Sequence, residues 1–296
     1  MGGHITRRGT LIGSMLTLPA LSLVMRSTAA APMEQSGITA AFKAMEEKTG
    51  ARLGVSALDT GSGKRIGYRD NERFAMCSTF KFLASAAILA RVDSGQEQLD
   101  RKILVKKKDI LPHSPVTGKH VGATMTIAQL CEATVTISDN AAGNLVLEAL
   151  GGPKGLTKYA RSLGDGTFRL DRWETELNEA KPGDPRDTIT PAGMLADMQK
   201  TVLGDALSVS SREQLKQWLV ANQTGDKRIR AGVPKNWTVG DKTGTGETGM
   251  ANDIAVLWPS DRHPILLAIY LYDPKGTPAG RDATHEQVAS LVVDNL

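Results

Sequence analysis

Apolar and polar positions recur in two rhythms along this chain, and the change of rhythm marks its organisation. In I-T-A-A-F-K-A-M-E-E-K-T-G, Ile38, Phe42 and Met45 recur at helical spacing, and Gly50 follows as a stop. A-R-L-G-V-S-A-L-D and R-I-G-Y-R-D then flank the turn T-G-S-G-K, which predicts a β-hairpin. Residues 78–220 carry mostly helical patterns broken by Gly and Pro. Towards the end, N-W-T-V-G-D-K-T-G-T-G, A-N-D-I-A-V-L-W and P-I-L-L-A-I-Y-L-Y read as three strands joined by tight turns, and H-E-Q-V-A-S-L-V-V-D-N-L reads as a closing helix. Strands at both ends with helices between them predict one mixed sheet built from both ends of the chain, with a helical domain inserted. The boundaries expected are a sheet domain of residues 32–76 and 221–296 and a helical domain of residues 77–220.

Composition changes this picture little. The 296 residues suffice for a sizeable core, and 23% charged with 41% hydrophobic residues is ordinary for a globular protein. The formal charge of +4 is more informative once divided. Residues 1–31 hold Arg7, Arg8 and Arg26 and no acid, so without them +4 falls to +1. A near-neutral remainder gives no electrostatic case for nucleic acid. The run Lys106-Lys107-Lys108 is read as a solvated face.

The same first residues read as an export signal of residues 1–31. T-R-R-G-T-L-I-G sets paired arginines before an apolar stretch reaching about Met25, and S-T-A-A-A-P supplies small residues for cleavage. The pair resembles a twin-arginine signal, although Thr10 stands where a bulky apolar residue is usual; ordinary secretion is the alternative. The expected location is the periplasm, with no membrane attachment after signal removal, because no later stretch approaches a membrane span. Export makes Cys77 and Cys131 a possible disulfide. Two cysteines, and five histidines without an H-x-x-x-H pair, make metal chemistry a poor expectation.

One stretch resists the bland reading. In C-S-T-F-K-F, residues 77–82, Lys81 opens a run that continues F-L-A-S-A-A-I-L-A. A helix apolar all round is usually buried, and a buried ammonium is costly unless paired or deprotonated. Ser78 lies three residues earlier, on the same helical face. Either Lys81 snorkels to solvent, or Ser78 is a nucleophile beside its proton acceptor. Three further places gather chemistry. Ser138-Asp139-Asn140 follows a helical segment, and alone it is a common turn or cap. Lys242-Thr243-Gly244-Thr245 closes a predicted strand, where glycine permits close backbone approach and Lys242 attracts an anion. R-W-E-T-E-L-N, residues 172–178, opens a loop rich in Pro and Asp that runs to Asp187.

Each motif is weak alone. S-x-x-K, then S-D-N about sixty residues on, then E-x-x-L-N, then K-T-G is, in order and spacing, the arrangement of the class A serine β-lactamases, which the chain resembles over essentially its whole length after the leader. The resemblance extends to H-S-P-V-T-G-K-H and G-D-K-T-G-T-G. It implies an α/β (α+β) fold, a five-stranded antiparallel sheet flanked by helices plus an all-helical domain that carries a catalytic loop at 172–187. It also implies hydrolysis of β-lactam antibiotics through a serine acyl-enzyme, with no cofactor.

The roles implied are as follows. Ser78 attacks the lactam carbonyl, and the backbone N–H groups of Ser78 and Thr245 hold the oxyanion. Lys81 or Glu174 through a water takes the serine proton; Glu174, with Asn178 fixing the water, drives deacylation. Ser138 passes a proton to the departing nitrogen. Asn140 binds the acyl side chain, and Lys242, Thr243, Gly244 and Thr245 line the substrate's carboxylate site. Many relatives add an arginine on the next strand, where Ala251 stands here; Arg228 falls where others supply it. His113 replaces an entrance aromatic, which puts stacking there in doubt. Thr175 stands where proline often follows the glutamate in relatives with a cis bond, and Arg172 with Asp187 is expected to close the loop neck. Some relatives pair a cysteine at the Cys77 position with one where Gly246 stands, and others pair the Cys131 position with that of Ser85, so two free buried thiols are expected. The chain is expected to act as a monomer on small molecules. A penicillin-binding peptidase shares S-x-x-K and K-T-G but lacks the deacylating glutamate. A β-lactam sensor would need a membrane segment. Penicillins and cephalosporins are the expected substrates, with carbapenems open.

Overall fold

The computed structural model describes residues 1–4 and 34–296, and residues Pro32–Leu296 form one compact unit. Beyond its first four residues the leader, with Arg7, Arg8 and Arg26, falls outside the described residues. Helix α1 (Gln35–Thr49) ends where expected: Gly50 takes φ 69°, and its N–H caps the Glu46 carbonyl. Strands β1 (Arg52–Asp59) and β2 (Arg65–Tyr68) form the predicted hairpin, with Val55 opposite Tyr68.

The main sheet has five strands in the order β2-β1-β9-β8-β7, antiparallel throughout, with β7 (Thr238–Thr245), β8 (Met250–Trp258) and β9 (Ile265–Tyr272) supplied by the far end of the chain. Strand β9 reads I-L-L-A-I-Y-L-Y because it is covered on both faces. Ile265, Leu267, Ile269 and Leu271 belong to one apolar cluster with Ile38, Phe42, Val288 and Val292 of the outer helices. Leu266, Ala268 and Tyr270 belong to another, with the inner helices. The closing helix α8 (Pro278–Val293) differs from the sequence expectation by beginning seven residues before His285. Thr277 caps it by accepting from the Gly280 N–H at 3.1 Å, and Pro278 at the first helical position is already set for the turn.

Between the two halves of the sheet lie the helices α2 (Phe80–Asp93), α3 (Ile127–Thr136), α4 (Asn140–Ala149), α5 (Gly152–Ser162), α6 (Pro191–Met198) and α7 (Val209–Val220). Short ribbons join β3 (Phe74–Ala75) to β6 (Thr188–Ile189) and β4 (Lys102–Leu104) to β5 (Thr124–Thr126). The first ribbon matters most. It ties the entrance of α2 to the exit of the 172–187 loop, pairing Phe74 with Ile189. Edge strand β7 lies against the 3₁₀ turn Cys77–Thr79 that leads into α2. This contact needs a glycine, since a Cβ on Gly244 would stand 2.6 Å from the Met76 carbonyl and 3.2 Å from the Ser78 nitrogen.

Candidate active site

Helix α2 is buried on every side from Phe80 to Leu89, and Lys81 is buried with it, at 0% exposure. The snorkelling reading therefore fails. What compensates the ammonium is a ring of oxygens from three other segments. Lys81 Nζ lies 3.0 Å from Ser78 Oγ, 2.9 Å from the Ser138 carbonyl, 2.6 Å from Asn140 Oδ1 and 2.9 Å from Glu174 Oε1. Ser138 Oγ is further, at 3.4 Å. An ammonium has three hydrogens, so these acceptors compete for it. The space for its stem exists because residue 143 of α4 is glycine; a Cβ there would come 2.9 Å from Lys81 Cε. Desolvation pulls Lys81 below the ordinary lysine range, and the Glu174 charge opposes that pull.

Glu174 reaches the same centre from the loop. Its Oε1 accepts from Ser78 Oγ at 3.2 Å, and its Oε2 accepts from Asn178 Nδ2 at 2.5 Å. Glu174 and Asn178 are four residues apart, Glu174 just before a 3₁₀ turn (Glu176–Glu179) and Asn178 within it, which brings the two side chains together. The Glu174–Thr175 peptide is cis. The loop neck closes as the sequence suggests: Arg172 Nε donates to Asp187 Oδ2 at 2.6 Å, while Asp187 Oδ1 accepts the backbone N–H groups of Asp171 and Arg172. Arg172 also holds Glu179, at 2.7 Å.

The third wall is the S-D-N turn. Ser138 takes φ 61°, a left-handed conformation that a non-glycine residue keeps only when its surroundings enforce it. Its Oγ accepts from Lys242 Nζ at 3.0 Å. Asp139 caps α4 through the Ala142 N–H and binds Val116 N, Thr117 N and Thr117 Oγ1, anchoring the turn from below.

The fourth wall is β7. Lys242 is fully buried and donates to Ser138 Oγ and to the Thr243 carbonyl. Desolvation, and then the Lys81 charge, lower its pKa to about 7. Thr243 Oγ1 lies 2.6 Å from Thr224 Oγ1. Arg228 reaches this strand, its Nη2 donating to Thr245 Oγ1 at 2.9 Å and its Nη1 to the carbonyls of Gly244 and Asn252. Its Nε pairs with Asp282 of α8 at 2.9 Å. Ala251 stands opposite Thr245 on β8.

The structure thus gathers Ser78, Lys81, Ser138, Asn140, Glu174, Asn178 and Lys242 around one centre, with Thr243, Gly244, Thr245 and Arg228 along its strand side. His113 stands at the rim with its ring nitrogen Nε2 3.0 Å from the Ile137 carbonyl. Both cysteines are free and buried. A Cβ on Gly246 would lie 3.0 Å from Cys77 Sγ, so the glycine at that place leaves the thiol unpaired. Cys131 lies beside Ser85, and burial pushes its thiol up to about 12.

Two residues here escaped sequence reasoning. Asn144 holds the backbone of Glu174 from both sides, accepting its N–H at 2.9 Å and donating to its carbonyl at 3.0 Å. Asn252 donates to the carbonyls of Ala75 and Met76 and so fixes the turn before Ser78. A signal for Asn144 existed: it lies four residues after Asn140, one helical turn along the same face of a mostly apolar helix.

With this geometry in place, kinship can be stated. The sequence profile described as the Beta-lactamase enzyme family matches residues 37–296. Beta-lactamase FAR-1 of Nocardia farcinica is 53% identical over 231 residues, covering 78% of this chain and 74% of its own length. The carbapenem-hydrolyzing beta-lactamase KPC of Klebsiella oxytoca is 48% identical over 256 residues, covering 86% and 87%. The solved structure of an ancestral (GNCA) class A beta-lactamase superposes with a TM-score of 0.86 at 58% identity, over 88% of this chain and all of that one. The chain belongs to the β-lactamase family, in its class A serine branch.

Proposed function

We propose that Ser78 is the nucleophile of a two-step acyl transfer in which Glu174 activates the water of the second step. Hydrolysis of β-lactams, with antibiotic resistance as its consequence, is the activity of this chain. The observation that carries the proposed scheme is the triangle of Ser78 Oγ, Lys81 Nζ and Glu174 Oε1, with sides of 3.0, 2.9 and 3.2 Å. Ser78 Oγ gives up its proton towards this pair and bonds to the lactam carbonyl carbon. The backbone N–H groups of Ser78 and Thr245 hold the oxyanion, a role supported by the close approach of Gly244 to the Ser78 nitrogen. The carbon–nitrogen bond then breaks, and Ser138 passes its proton to the nitrogen, drawing on the lysines beside it. Water positioned by Glu174 and Asn178 attacks the ester and releases the ring-opened acid. Lys242, Thr243, Gly244, Thr245 and Arg228 receive the substrate carboxylate, and Asn140 the amide of its acyl side chain. Penicillins and cephalosporins are the substrate class. The chain works as a monomer in the periplasm, exported by the twin-arginine route; no described helix is long and apolar enough to cross a membrane.

The test separates the two steps. Glu174→Ala should slow deacylation by about 10²–10⁴-fold, the usual worth of a positioned base, while acylation survives in part. Mass spectrometry of the variant with benzylpenicillin should find one intact substrate added on the peptide bearing Ser78, and Ser78→Ala should find none. An adduct elsewhere, or normal turnover by Glu174→Ala, would count against the scheme.

A further inference from the structure

We propose that His113 is a positioning residue for Ser138, acting through the peptide bond that precedes it. This rests on the reading of Ser138 as the proton donor to the leaving nitrogen. Ser138 sits at φ 61°, and that angle depends on how the peptide between Ile137 and Ser138 is turned. The peptide is planar, so holding the Ile137 carbonyl also holds the Ser138 nitrogen. The group that holds that carbonyl is the His113 ring, with Nε2 at 3.0 Å. Ile137 ends α3, where carbonyls lack helical partners, so an imidazole N–H there meets an existing need.

The ring is one point of a broader clamp. The His113 carbonyl accepts the Asn140 N–H at 3.0 Å, the Pro112 carbonyl accepts Asn140 Nδ2 at 2.9 Å, and Ser114 Oγ accepts the Ala141 N–H at 3.2 Å. These bonds fix the turn after Ser138. Among the described residues, the ring alone fixes the peptide before it. His113 itself takes φ 57°, so its backbone is turned unusually to present both ring and carbonyl to the same turn. A carbonyl can only accept, so Nε2 carries the hydrogen and the neutral ring is the Nε2–H tautomer. The ring thus has a bonding duty that an apolar stacking wall would not have.

The two roles predict opposite rankings. His113→Phe keeps a ring at the entrance and removes the donor; His113→Gln removes the ring and places an N–H near the Nε2 position. With benzylpenicillin, kcat of His113→Phe should fall about tenfold, the effect of one net hydrogen bond, with KM changed by less than about twofold. His113→Gln should recover kcat to within about threefold of wild type. Nitrogen-15 NMR of the wild-type protein should show a hydrogen on Nε2. Any of three results would overturn the inference: His113→Phe matching wild type, His113→Gln losing as much kcat as His113→Phe, or an Nδ1–H tautomer. Ser78→Ala serves as the control. Full turnover by it would overturn this inference together with the acyl-enzyme reading, whereas an inactive Ser78→Ala with the wrong His113 ranking overturns this inference alone.

Discussion

Two buried carboxyl groups in this molecule have opposite surroundings. Glu174 is 4% exposed and Asp197 is 1% exposed, so both have left water almost completely. Glu174 has the Lys81 ammonium at 2.9 Å and the Asn178 amide at 2.5 Å. Asp197, on α6, receives a hydrogen bond at neither oxygen. Burial first, and then the negative charge of Asp165 beside it, raise its pKa to about 9, against weaker pulls from Lys200 and Arg161. Those two cations are committed elsewhere: Lys200 binds the Leu163 carbonyl and Arg161 the Asp165 carbonyl. Asp165 is already served by Thr167 and Phe168. A charge survives desolvation where donors converge on it, and is given up as a proton where they do not. Donors converge on Glu174 in the catalytic centre, whereas Asp197 is the case in which they do not.

The largest effect should come from removing the cation on the catalytic side. Lys81→Met would leave Glu174 buried with its ionic partner gone and Ser78 without the amine at 3.0 Å. Breaking one side of a buried pair is strongly unfavourable, and the lost proton transfer adds to it. We expect kcat/KM for benzylpenicillin to fall about 10³-fold or more. A fall under tenfold would mean that Lys81 is packing rather than chemistry, and the contrast with Asp197 would lose its functional meaning.

A smaller effect sharpens the rule on the neighbouring lysine. Lys242 is as buried as Lys81 but has no carboxylate within salt-bridge distance among the described residues, and its pKa falls to about 7. Below that pH the ammonium is present, donating to Ser138 and attracting the substrate carboxylate; above it the group becomes neutral. The kcat/KM for a carboxylate-bearing substrate should therefore decline as pH rises through about 7, since this quantity reports the free enzyme. Lys242→Arg keeps its charge at all working pH values, so its profile should lose that alkaline limb even if its maximum drops. An identical limb in both enzymes would assign the titration to another group.

The parts of this design that were legible in the sequence are those carried by spacing along the chain. The i, i+3 relation of Ser78 and Lys81 survives folding because a helix preserves it, and the order of the four motifs survives because each closes or opens an element. The three late strands and the hairpin were visible from apolar runs between turn residues. What could not be read is what pairs across the chain. The His113 ring meets Ile137 from a loop without periodicity, 24 residues away. The place of Asn144 on α4 is legible, but its partner is not, because the loop carrying Glu174 arrives from 30 residues away. The start of α8 was missed because P-A-G-R-D-A has no apolar stripe; the Thr277 cap and Pro278 set that end instead. Asp197, within P-A-G-M-L-A-D-M, gave no sign that it would be neutral, since that depends on Asp165 arriving from another segment.

The smallest expected effect on activity tests the other half of the contrast. Asp197 holds its proton in the folded protein up to about pH 9, whereas in the unfolded chain it loses it near the ordinary aspartate value of 3.8. Between those values the native state binds the extra proton, so the sign is the reverse of that for a salt-bridged carboxylate: stability from this group falls as pH rises, and is fully present only below about 4. Asp197→Asn is a neutral near-isostere of the protonated acid, and its amide can donate to Asp165 as the acid proton would. It should unfold at about the same temperature as wild type at pH 4. At pH 8.5 it should unfold at a clearly higher temperature than wild type, because only wild type then has to keep a proton that the unfolded chain has released. Its kcat should be unchanged, because Asp197 touches none of the groups around Ser78. A variant destabilised equally at both pH values would show instead that Asp197 is charged in the fold and held by partners.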